Sequence, residues 1–398
     1  MHALHIKSSL SSIFHNAILF NIRSNSVLYP RSLYLNETEN TMTKTAAYII
    51  AAAKQEDGIG SLDHVMQLES QLLSLGITPE HLYIDPLKTD WDAPEKHNHF
   101  RSGCAPIEAL SAAKKLIENG TPAVFISGED FIKSGYTRDE RLEKMAVYGD
   151  QFPLTELYTQ LAQNFSQQHG LSGHEFMDVA SQLFENYKTS YRHALASDFN
   201  EQLLPDQRWY QPITELFRGI DCANPLVDFS GRILITSADT AARLNITKSQ
   251  WLHVKAVGLS RLNADGPEHI DTIARYDHLQ SAYDDACSEA DIDFPNVFKH
   301  GDALLETYTC YPVVPMAFLL ISGLVDVVQN IPEFLKQHSI TITGGMNLAR
   351  GAWNNPALNA LIAMHHRLRD GPETIGLVHG NGGLGYRQGV AIVERHSS

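Results

Sequence analysis

Two segments of the chain share a helix-then-strand pattern, and this internal repeat limits the possible folds more than any other feature of the sequence. The first, "PIEALSAAKKLIENGTPAVFISG", starts at Pro106, and the second, "PALNALIAMHHRLRDGPETIGLVHG", starts at Pro356. Each has a proline at a first-turn position, an apolar face of period 3.6, a glycine stop and an apolar strand that ends in glycine. Generic α/β units share this pattern, so the repeat favours a duplicated α/β chain but leaves two unrelated units open. In a duplicated chain, Cys104 and His379 would belong to one central cleft.

The pattern of apolar and polar residues along the chain also predicts its domain organisation. Short apolar runs alternate with helical patterns from Ala46 to about Asp130, and strand signals return at "RILITS" and "HVKAVGL". Between them, about 150–221 is polar, aromatic-rich and helix-like, as in an inserted helical subdomain. We therefore predict an N-terminal half over 44–245, which includes this subdomain, and a C-terminal half over 246–398.

The first 43 residues form an extension of different composition. Its stretch 1–36 contains Lys7, Arg23 and Arg31, several serines and no Asp or Glu, which is the composition of a mitochondrial transit peptide. The alternative is that Met42 is the real start, because a strand-like apolar run begins directly after it. The first alternative predicts a mitochondrial protein and the second a cytoplasmic one.

Composition and charge bound the possible partners. The chain has 398 residues, of which 43% are hydrophobic and 19% charged, and this is globular composition with enough length for a sizeable core. Its net charge of -15 argues against nucleic acid or an anionic membrane as a partner, since clustered Lys and Arg hold both. The longest apolar run, "MAFLLISGLVDVV", is too short to cross a bilayer. Four scattered cysteines without a C-x-x-C pair suggest neither a disulfide framework nor a metal site.

A glycine-rich run near the C-terminus, "IGLVHGNGGLGYRQGVAIVER", has the G-x-G-x-x-G spacing at Gly380, Gly382 and Gly385. A dinucleotide-binding turn with this spacing opens a helix within a βαβ unit. Here "GVAIVER" alternates like a strand instead. The run therefore predicts a tight turn between the last two strands, with His379 at its lip, and not a nucleotide site.

Two thiols are candidates for chemistry. Cys104 lies two residues before Pro106, where the N-terminal end of the helix dipole would lower the pKa of its thiol and make it a nucleophile. The alternative is a small buried apolar cysteine, which is the commoner case. Cys310, between Tyr308 and Tyr311 in "ETYTCYPVVP", fits core packing when it is taken in isolation.

The other candidates are one histidine and several backbone N–H groups. His379 could act as an acid or base because the pKa of an unperturbed histidine, about 6.5, lies near neutrality. Exposed N–H groups at Gly344, Gly345 and Gly382 could bind a thioester oxygen or an oxyanion.

Taken together, these segments resemble the thiolase superfamily, and within it the divergent sterol-carrier-type branch commonly named acetyl-CoA acetyltransferase. The segment "ETYTCYPVVP" is similar to the "LYSCFP" segment of that branch. The block "TGGMNLARGAWNNPALNALIAM" followed by "GLVHGNGG" is similar to its "TGGL" to "GNGG" block, and "GCAPIEALSAAKKLIENGTPAVFISGED" resembles its nucleophile helix and following strand. The resemblance covers most of Ala46 to Arg395.

The resemblance implies a thiolase-like duplicated α/β fold of five αβαβα layers, with an inserted helical loop subdomain that covers coenzyme A. It also implies acyl-CoA as the substrate, no covalently bound cofactor and a homodimer. The chemistry of the family is Claisen-type acyl transfer. A cysteine at the start of the nucleophile helix takes the acyl group, a histidine activates it, a second cysteine moves protons, and an Asn or His binds a thioester oxygen.

Position by position, this chain departs from that pattern. Gly103 falls at the family's nucleophile position and Cys104 lies one residue beyond it. Gly351 and Ala352 stand where the family has its activating histidine, and Leu226 stands where a serine that contacts coenzyme A is usual.

Other positions keep groups with a possible role. Tyr308 matches the Asn or His of the oxyanion motif, His379 matches the second cysteine, and Asn224 matches the motif that closes the first half. The resemblance therefore implies catalytic roles for Cys104, His379, Tyr308 and Cys310, and it implies substrate-binding roles for Gly344, Gly345, Asn224, Asn381 and Gly382.

Two hypotheses follow. The first is an acyl-CoA-dependent acyltransferase, for Claisen condensation or thiolysis of a 3-ketoacyl-CoA, with Cys104 as nucleophile and His379 as proton shuttle. The second is a non-catalytic acyl-CoA- or lipid-binding homologue, which the missing histidine and the shifted cysteine favour.

Overall fold

The strands of the protein form one mixed ladder in which the order of the first half is repeated in the second. The computed structural model describes residues 45–396, so the predictions about the N-terminal extension, a transit peptide or a start at Met42, lie outside the described residues. The strands of the described residues are β1 (Tyr48–Glu56), β2 (Ile59–Gly60), β3 (Glu80–Ile84), β4 (His99–Phe100), β5 (Ala123–Phe131), β6 (Asp228–Thr236), β7 (Leu252–Arg261), β8 (Ala303–Glu306), β9 (Ile375–Gly382) and β10 (Arg387–Arg395).

The helices surround and divide this ladder. Those of the described residues are α1 (Asp63–Ser74), α2 (Ala105–Glu118), α3 (Arg138–Met145), α4 (Leu154–His169), α5 (Gly173–Leu195), α6 (Ala238–Arg243), α7 (Ile270–Ile273), α8 (Asp277–Ala290), α9 (Phe294–Lys299), α10 (Val313–Ile321), α11 (Ile331–Gln337), α12 (Gly345–Leu348) and α13 (Pro356–Asp370). Within residues 45–396, no helix is both long and apolar enough to cross a membrane.

The order of the strands confirms the duplication. The ladder runs β4-β3-β5-β6-β1-β7-β10-β9-β8. In the first half β3 is parallel to β5, which pairs antiparallel with β6 and then β1. In the second half β8 is parallel to β9, which pairs antiparallel with β10 and then β7. The halves meet where β1 and β7 pair through Tyr48–His253 and Ile49–Leu252.

The two helices of the sequence repeat form the middle layer of the molecule. α2 packs on β5 and β6 of the first half and on β7, β9 and β10 of the second, and α13 likewise packs on strands of both halves. α1 covers the outer face of β1 and β6, and α8 covers the outer face of β7 and β10. The predicted five αβαβα layers are therefore confirmed, and the buried core between the two halves of the ladder contains residues of both.

The span 150–221 contains α4, α5 and short 3₁₀ turns, and it contributes no strand to the ladder. Two sequence signals set its helices. α4 ends at Gly170, whose φ of 67° is the left-handed conformation that glycine adopts at low cost. α5 begins after Ser172, which forms a capping box with Glu175. The apolar faces of both helices pack into the core of the second half, and this packing brings Tyr158 of α4 toward the centre of the molecule.

Candidate functional site

A cavity of about 180 Å³ lies where the helical segment meets the loops that precede α2, α10 and α13. Three of the sequence-predicted site residues, Tyr308, Cys310 and Asn381, line this central cavity. Larger cavities of about 1110, 540 and 290 Å³ are lined by none of the predicted site residues. The remainder of the central cavity wall is formed by Trp91, Gly103, Met145, Val147, Leu154, Tyr158, Ala223, Pro225, Tyr311, Met346, Gly351, Trp353, Asn354 and Gly383.

Cys310 supplies the thiol of the central cavity. It lies in the loop between β8 and α10, and the carbonyl of Cys310 accepts a hydrogen bond from the N–H of Ala223 at 2.8 Å. Its Sγ donates to the hydroxyl of Tyr158 at 3.6 Å. Burial raises the pKa of the thiol to about 12, because a thiolate loses its hydration there. Cys310 is therefore a neutral thiol at physiological pH.

The hydroxyl of Tyr158 joins the polar groups at this end of the cavity. It donates to the carbonyl of Gly383 at 2.7 Å and accepts from Nδ2 of Asn381 at 3.1 Å. Asn381 is fixed in turn by Gln388, whose Nε2 donates to Oδ1 of Asn381 at 2.8 Å. Because its proton is directed to Gly383, Tyr158 can only accept from the Cys310 thiol in this arrangement.

Tyr308 occupies the space that a side chain at position 103 would need. A Cβ built on Gly103 would contact the Tyr308 hydroxyl and would lie 2.6 Å from its Cζ. Tyr308 uses its backbone N–H, not its hydroxyl, in a hydrogen bond to His379, so the hydroxyl remains free to meet a ligand. Burial holds the pKa of Tyr308 well above its usual value, and the group is therefore a neutral hydrogen-bond donor at physiological pH.

Cys104 does not face the central cavity, and the prediction that its thiol has a lowered pKa is wrong. The residue is the N-cap of α2 and is 1% exposed. A Cβ built on Gly389 of β10 would lie 2.8 Å from its Sγ, so the sulfur points into the core between α2 and β10. Burial first, and then the nearby Glu108 carboxylate, raise the pKa of this thiol well above its usual value.

His379 is also a core residue and does not lie at the lip of a turn. It belongs to β9, is 1% exposed and stacks on Phe318 with ring centroids 4.7 Å apart. Both NH2 protons of Gln388 are donated elsewhere, so its Oε1 accepts from Nε2–H of His379 at 2.8 Å. Nδ1 accepts from the N–H of Tyr308 at 3.4 Å. Burial lowers the pKa of His379 to about 4, which disfavours the proposed proton shuttle.

The predicted turn is confirmed, since β9 and β10 are joined by residues 383–386 and pair antiparallel. The proposed backbone donors lie elsewhere, however. The N–H of Gly345 is bound by Oγ1 of Thr343 at 3.0 Å, and Gly344 and Gly382 lie outside the cavity wall, which holds Met346 and Gly383 instead.

Asn224 likewise supports the wall without reaching the cavity. Its N–H donates to the carbonyl of Met346 at 3.0 Å, and its Oδ1 accepts from the N–H of Leu226 at 3.1 Å. The neighbours Ala223 and Pro225 line the cavity. Asn224 therefore holds the two apolar lining residues in place.

Backbone positions of unusual conformation surround the cavity. Ser102, Arg350 and Trp353 have φ values of 140°, 65° and 48°, and a non-glycine residue held in this region costs about 1–3 kcal/mol. The loop that carries Trp91 is fixed by Arg101, whose guanidinium binds the carbonyls of Asp90, Trp91 and Ala93. Such strain persists only where the surrounding structure determines it, and it is concentrated at functional sites.

The sequence did not indicate Tyr158, Trp91 or Trp353 as site residues. Tyr158 lies on the apolar stripe of α4, so its pattern is that of an ordinary core residue. Trp91 lies in a loop without a motif, and Trp353 lies within the block that follows Gly344 but had no role assigned to it there. The one sequence signal that could have indicated Tyr158 is the high aromatic content of 150–221. No group of three or more His, Cys, Asp or Glu side chains that could hold a metal ion occurs among the described residues.

Comparison with known proteins supports the architecture. No protein-family model and no curated protein sequence matches this chain. Among solved structures, it is similar to a monomeric SCP2-thiolase like protein type 1 from Mycobacterium smegmatis, with a TM-score of 0.62 and 16% identity, covering 89% of this chain and 78% of that one. It is also similar to human mitochondrial 3-ketoacyl-CoA thiolase, with a TM-score of 0.58 and 14% identity, covering 89% of this chain and 99% of that one. The chain therefore has the thiolase fold.

Proposed function

We propose that this protein is a divergent member of the thiolase superfamily, an acyl-CoA-dependent acyltransferase in which Cys310, and not Cys104, accepts the acyl group. The observation that carries the proposal is the position of Cys310, which is the thiol on the wall of the central cavity. The fold supports the substrate class, since one solved structure with this fold is a 3-ketoacyl-CoA thiolase.

The cavity suits a thioester because its wall combines two kinds of chemistry. Trp91, Leu154 and Met346 provide apolar surface for an acyl group. The free hydroxyl of Tyr308, which also lines the cavity, would donate to the thioester carbonyl oxygen. A neutral donor in a buried site stabilises the negative charge that develops on this oxygen, because water does not compete with it there.

The proposed transfer moves two protons without a preformed thiolate. Sγ of Cys310 forms a bond to the carbonyl carbon, and its proton passes to the hydroxyl oxygen of Tyr158. The hydroxyl of Tyr158 then turns away from the carbonyl of Gly383 and gives its own proton to the sulfur of coenzyme A, as the bond between this sulfur and the carbonyl carbon breaks. The balance is acyl-CoA plus the Cys310 thiol giving acyl-Cys310 plus free coenzyme A.

Incubation with radiolabelled acetyl-CoA followed by peptide mapping tests this assignment. We expect the label on the peptide that contains Cys310, and we expect its loss in Cys310→Ala. Cys104→Ala is the matched control, because it removes a second buried thiol that the cavity does not reach, and it should keep the label. Label on Cys104, or label on neither cysteine, would contradict the proposed acyl acceptor.

A second candidate function is a non-catalytic acyl-CoA-binding protein. Two observations favour it. The pKa values of both thiols are raised, and the Tyr308 hydroxyl fills the space that a nucleophilic side chain at position 103 would need. In this case titration calorimetry would detect acyl-CoA binding that Cys310→Ala leaves unchanged, and no acyl adduct would form on any cysteine.

The assembly and the location of the protein remain predictions. The homodimer implied by the resemblance is tested by sedimentation, and one solved structure with this fold is described as monomeric. A mitochondrial or a cytoplasmic location depends on the N-terminal extension. Mass spectrometry of the N-terminus of the protein purified from its native cells would distinguish a cleaved transit peptide from a start at Met42.

A further inference from the structure

A second cavity adjoins the central one and has a different chemical character. This α2 groove, of about 540 Å³, lies between α2, the ends of β7 and β10, and the loop that carries Trp91. Its volume is within the range of small-molecule sites, about 300–1,000 Å³. Trp91 lines both cavities, so the proposed acyl site and the groove meet at this residue.

Arg387 is a charged residue of the groove that lies close to the central cavity. It starts β10 and pairs across the hairpin with Gly382, whose neighbours Asn381 and Gly383 line the central cavity. Its side chain is 20% exposed, and Nη1 meets Glu108 at 3.3 Å. The Nε of Arg387 is buried without a hydrogen-bond partner, and burying such a donor unpaired is costly.

Three further cations face the groove. Lys96, Lys115 and Arg261 line it. Among the described residues none of the three lies in a salt bridge, although the charge of Arg261 acts to lower the pKa of Glu108. This concentration of positive charge stands out in a chain with a net charge of -15.

Acidic groups are present as well. Asp92, Glu95 and Glu108 share the lining. Only Glu108 reaches Arg387, and Asp92 and Glu95 lie on the exposed loop. Asp85 is also part of the wall but is bound to Arg101 at 3.0 Å.

We propose that the α2 groove binds an oxyanion, a carboxylate or a phosphate, carried by the ligand of the central cavity. Arg387 and Arg261 hold this anion, and Lys115 and Lys96 contribute to the field around it. A guanidinium suits either anion because its parallel N–H groups match two oxygens. The link to the ligand of the central cavity rests on the proposed acyl-CoA function. It adds to that function the prediction that one end of the substrate carries a negative charge.

Two sources of the anion share this chemistry. An acyl group with a terminal carboxylate would reach past Trp91 from the acyl site, and the phosphates of coenzyme A would reach the groove from the other end of the thioester. In either case Glu108 competes with the ligand for Arg387. Removing its charge should therefore strengthen binding, an effect that a purely structural role for the pair would not produce.

The first experiment uses free anions, so that it does not depend on acyl transfer. Titration calorimetry of the full chain with glutarate and with inorganic phosphate is expected to show binding of at least one of them. Arg261→Gln, at an exposed position that does not endanger folding, and Arg387→Gln are each expected to weaken it about tenfold. Glu108→Gln should tighten it, and Lys248→Gln, at an exposed lysine outside the groove, should leave it unchanged. Absence of binding by both anions, or binding that is insensitive to Arg261 and Arg387, overturns the proposal.

The second experiment identifies the source of the anion. It compares glutaryl-CoA with butyryl-CoA in the Cys310→Ala background, where the proposed transfer is blocked and only affinity is measured. If Arg387→Gln weakens glutaryl-CoA alone, the anion is the acyl carboxylate, and if it weakens both equally, the anion is a phosphate of coenzyme A. If it weakens neither, the groove does not serve this ligand and the proposal fails, whatever the labelling of Cys310 has shown.

Discussion

The candidate residues of this protein fall into two sets that the sequence did not separate. Cys104 and His379 point into the core between the sheets and helices, whereas Cys310, Tyr308 and Asn381 line the central cavity. The two thiols show that a position in a motif and access to a ligand are separate properties. Cys104 lies at a helix N-terminus, which is expected to activate a thiol, but only Cys310 lines the cavity where a ligand could reach it.

Magnitudes explain why the helix dipole does not decide the state of Cys104. A charge at a helix N-terminus gains up to about 2 kcal/mol, and one pKa unit corresponds to about 1.4 kcal/mol. The dipole can therefore lower a thiol pKa by about 1.5 units. Full burial raises it by up to about 3–5 units. Burial outweighs the dipole wherever the sulfur faces the core.

The largest effect that we expect is a difference in labelling between the two thiols. Iodoacetamide should modify Cys310 about a thousandfold faster than Cys104, because Cys104 reacts only when the core opens, at a cost of several kcal/mol. The measurement is time-resolved peptide mass spectrometry under native conditions. Equal rates would break the distinction between the two sets. For Cys310, a pKa of about 12 predicts a rate that still rises about tenfold per pH unit at pH 9.

The next effect concerns His379 of the core set. Its pKa is about 4 in the folded protein, compared with 6.5 for an unperturbed histidine, so the unfolded chain binds more protons between these values. The contribution of His379 to the free energy of unfolding is therefore complete above pH 6.5, and about 3 kcal/mol of it is lost as the pH falls through 4.

The contribution of His379 must be measured as a difference in the free energy of unfolding between the wild type and a variant that lacks the histidine, because another buried group also titrates in this pH range. Burial raises the pKa of Glu306 to about 7, and this carboxyl shifts the stability in the opposite direction. We therefore compare urea denaturation of the wild type with that of His379→Gln from pH 7 to pH 4.5. If the difference in the free energy of unfolding between the two proteins stays constant with pH, His379 does not titrate in this range.

A smaller effect is expected from filling the space beside Cys104. In Gly389→Ala the new Cβ would lie 2.8 Å from Sγ of Cys104 and from Cγ2 of Ile107, and such overpacking costs about 1–3 kcal/mol. Adding Cys104→Ala should recover part of this loss, as measured by thermal unfolding in a double-mutant cycle. Strict additivity of the two substitutions would mean that the sulfur does not point at β10.

The smallest effect belongs to the cavity set. Tyr158→Phe removes the acceptor of Cys310 and of Asn381, and this should lower the free energy of unfolding by about 1–2 kcal/mol. Under the proposed mechanism it should also reduce labelling of Cys310 by acetyl-CoA, because the proton relay is lost. Tyr311→Phe is the matched control, since the ring of Tyr311 stacks on that of Tyr158 at 4.1 Å but its hydroxyl accepts no proton from Cys310.

The sequence predicted the architecture well because its signals are periodic and local. Proline starts, glycine stops and apolar strands identified the units around α2 and α13, and the alternation in "GVAIVER" identified β10. The site was predicted less well because a position in a motif does not fix the direction of a side chain. Cys104 has the expected place before Pro106, yet the turn at Ser102 and the absence of a side chain at Gly389 direct its sulfur into the core. The contribution of Tyr158 depends on how the helical segment packs, which no local pattern encodes.

The middle layer of helices also has a consequence for the synthesis of the chain. One face of α2 packs on β9 and β10, which leave the ribosome after the whole of the first half. At about 5–20 residues per second, this apolar face waits on the order of tens of seconds for its partner strands. The first half therefore needs protection from aggregation while it is nascent, and a gene truncated between the halves would encode a chain that depends on chaperones.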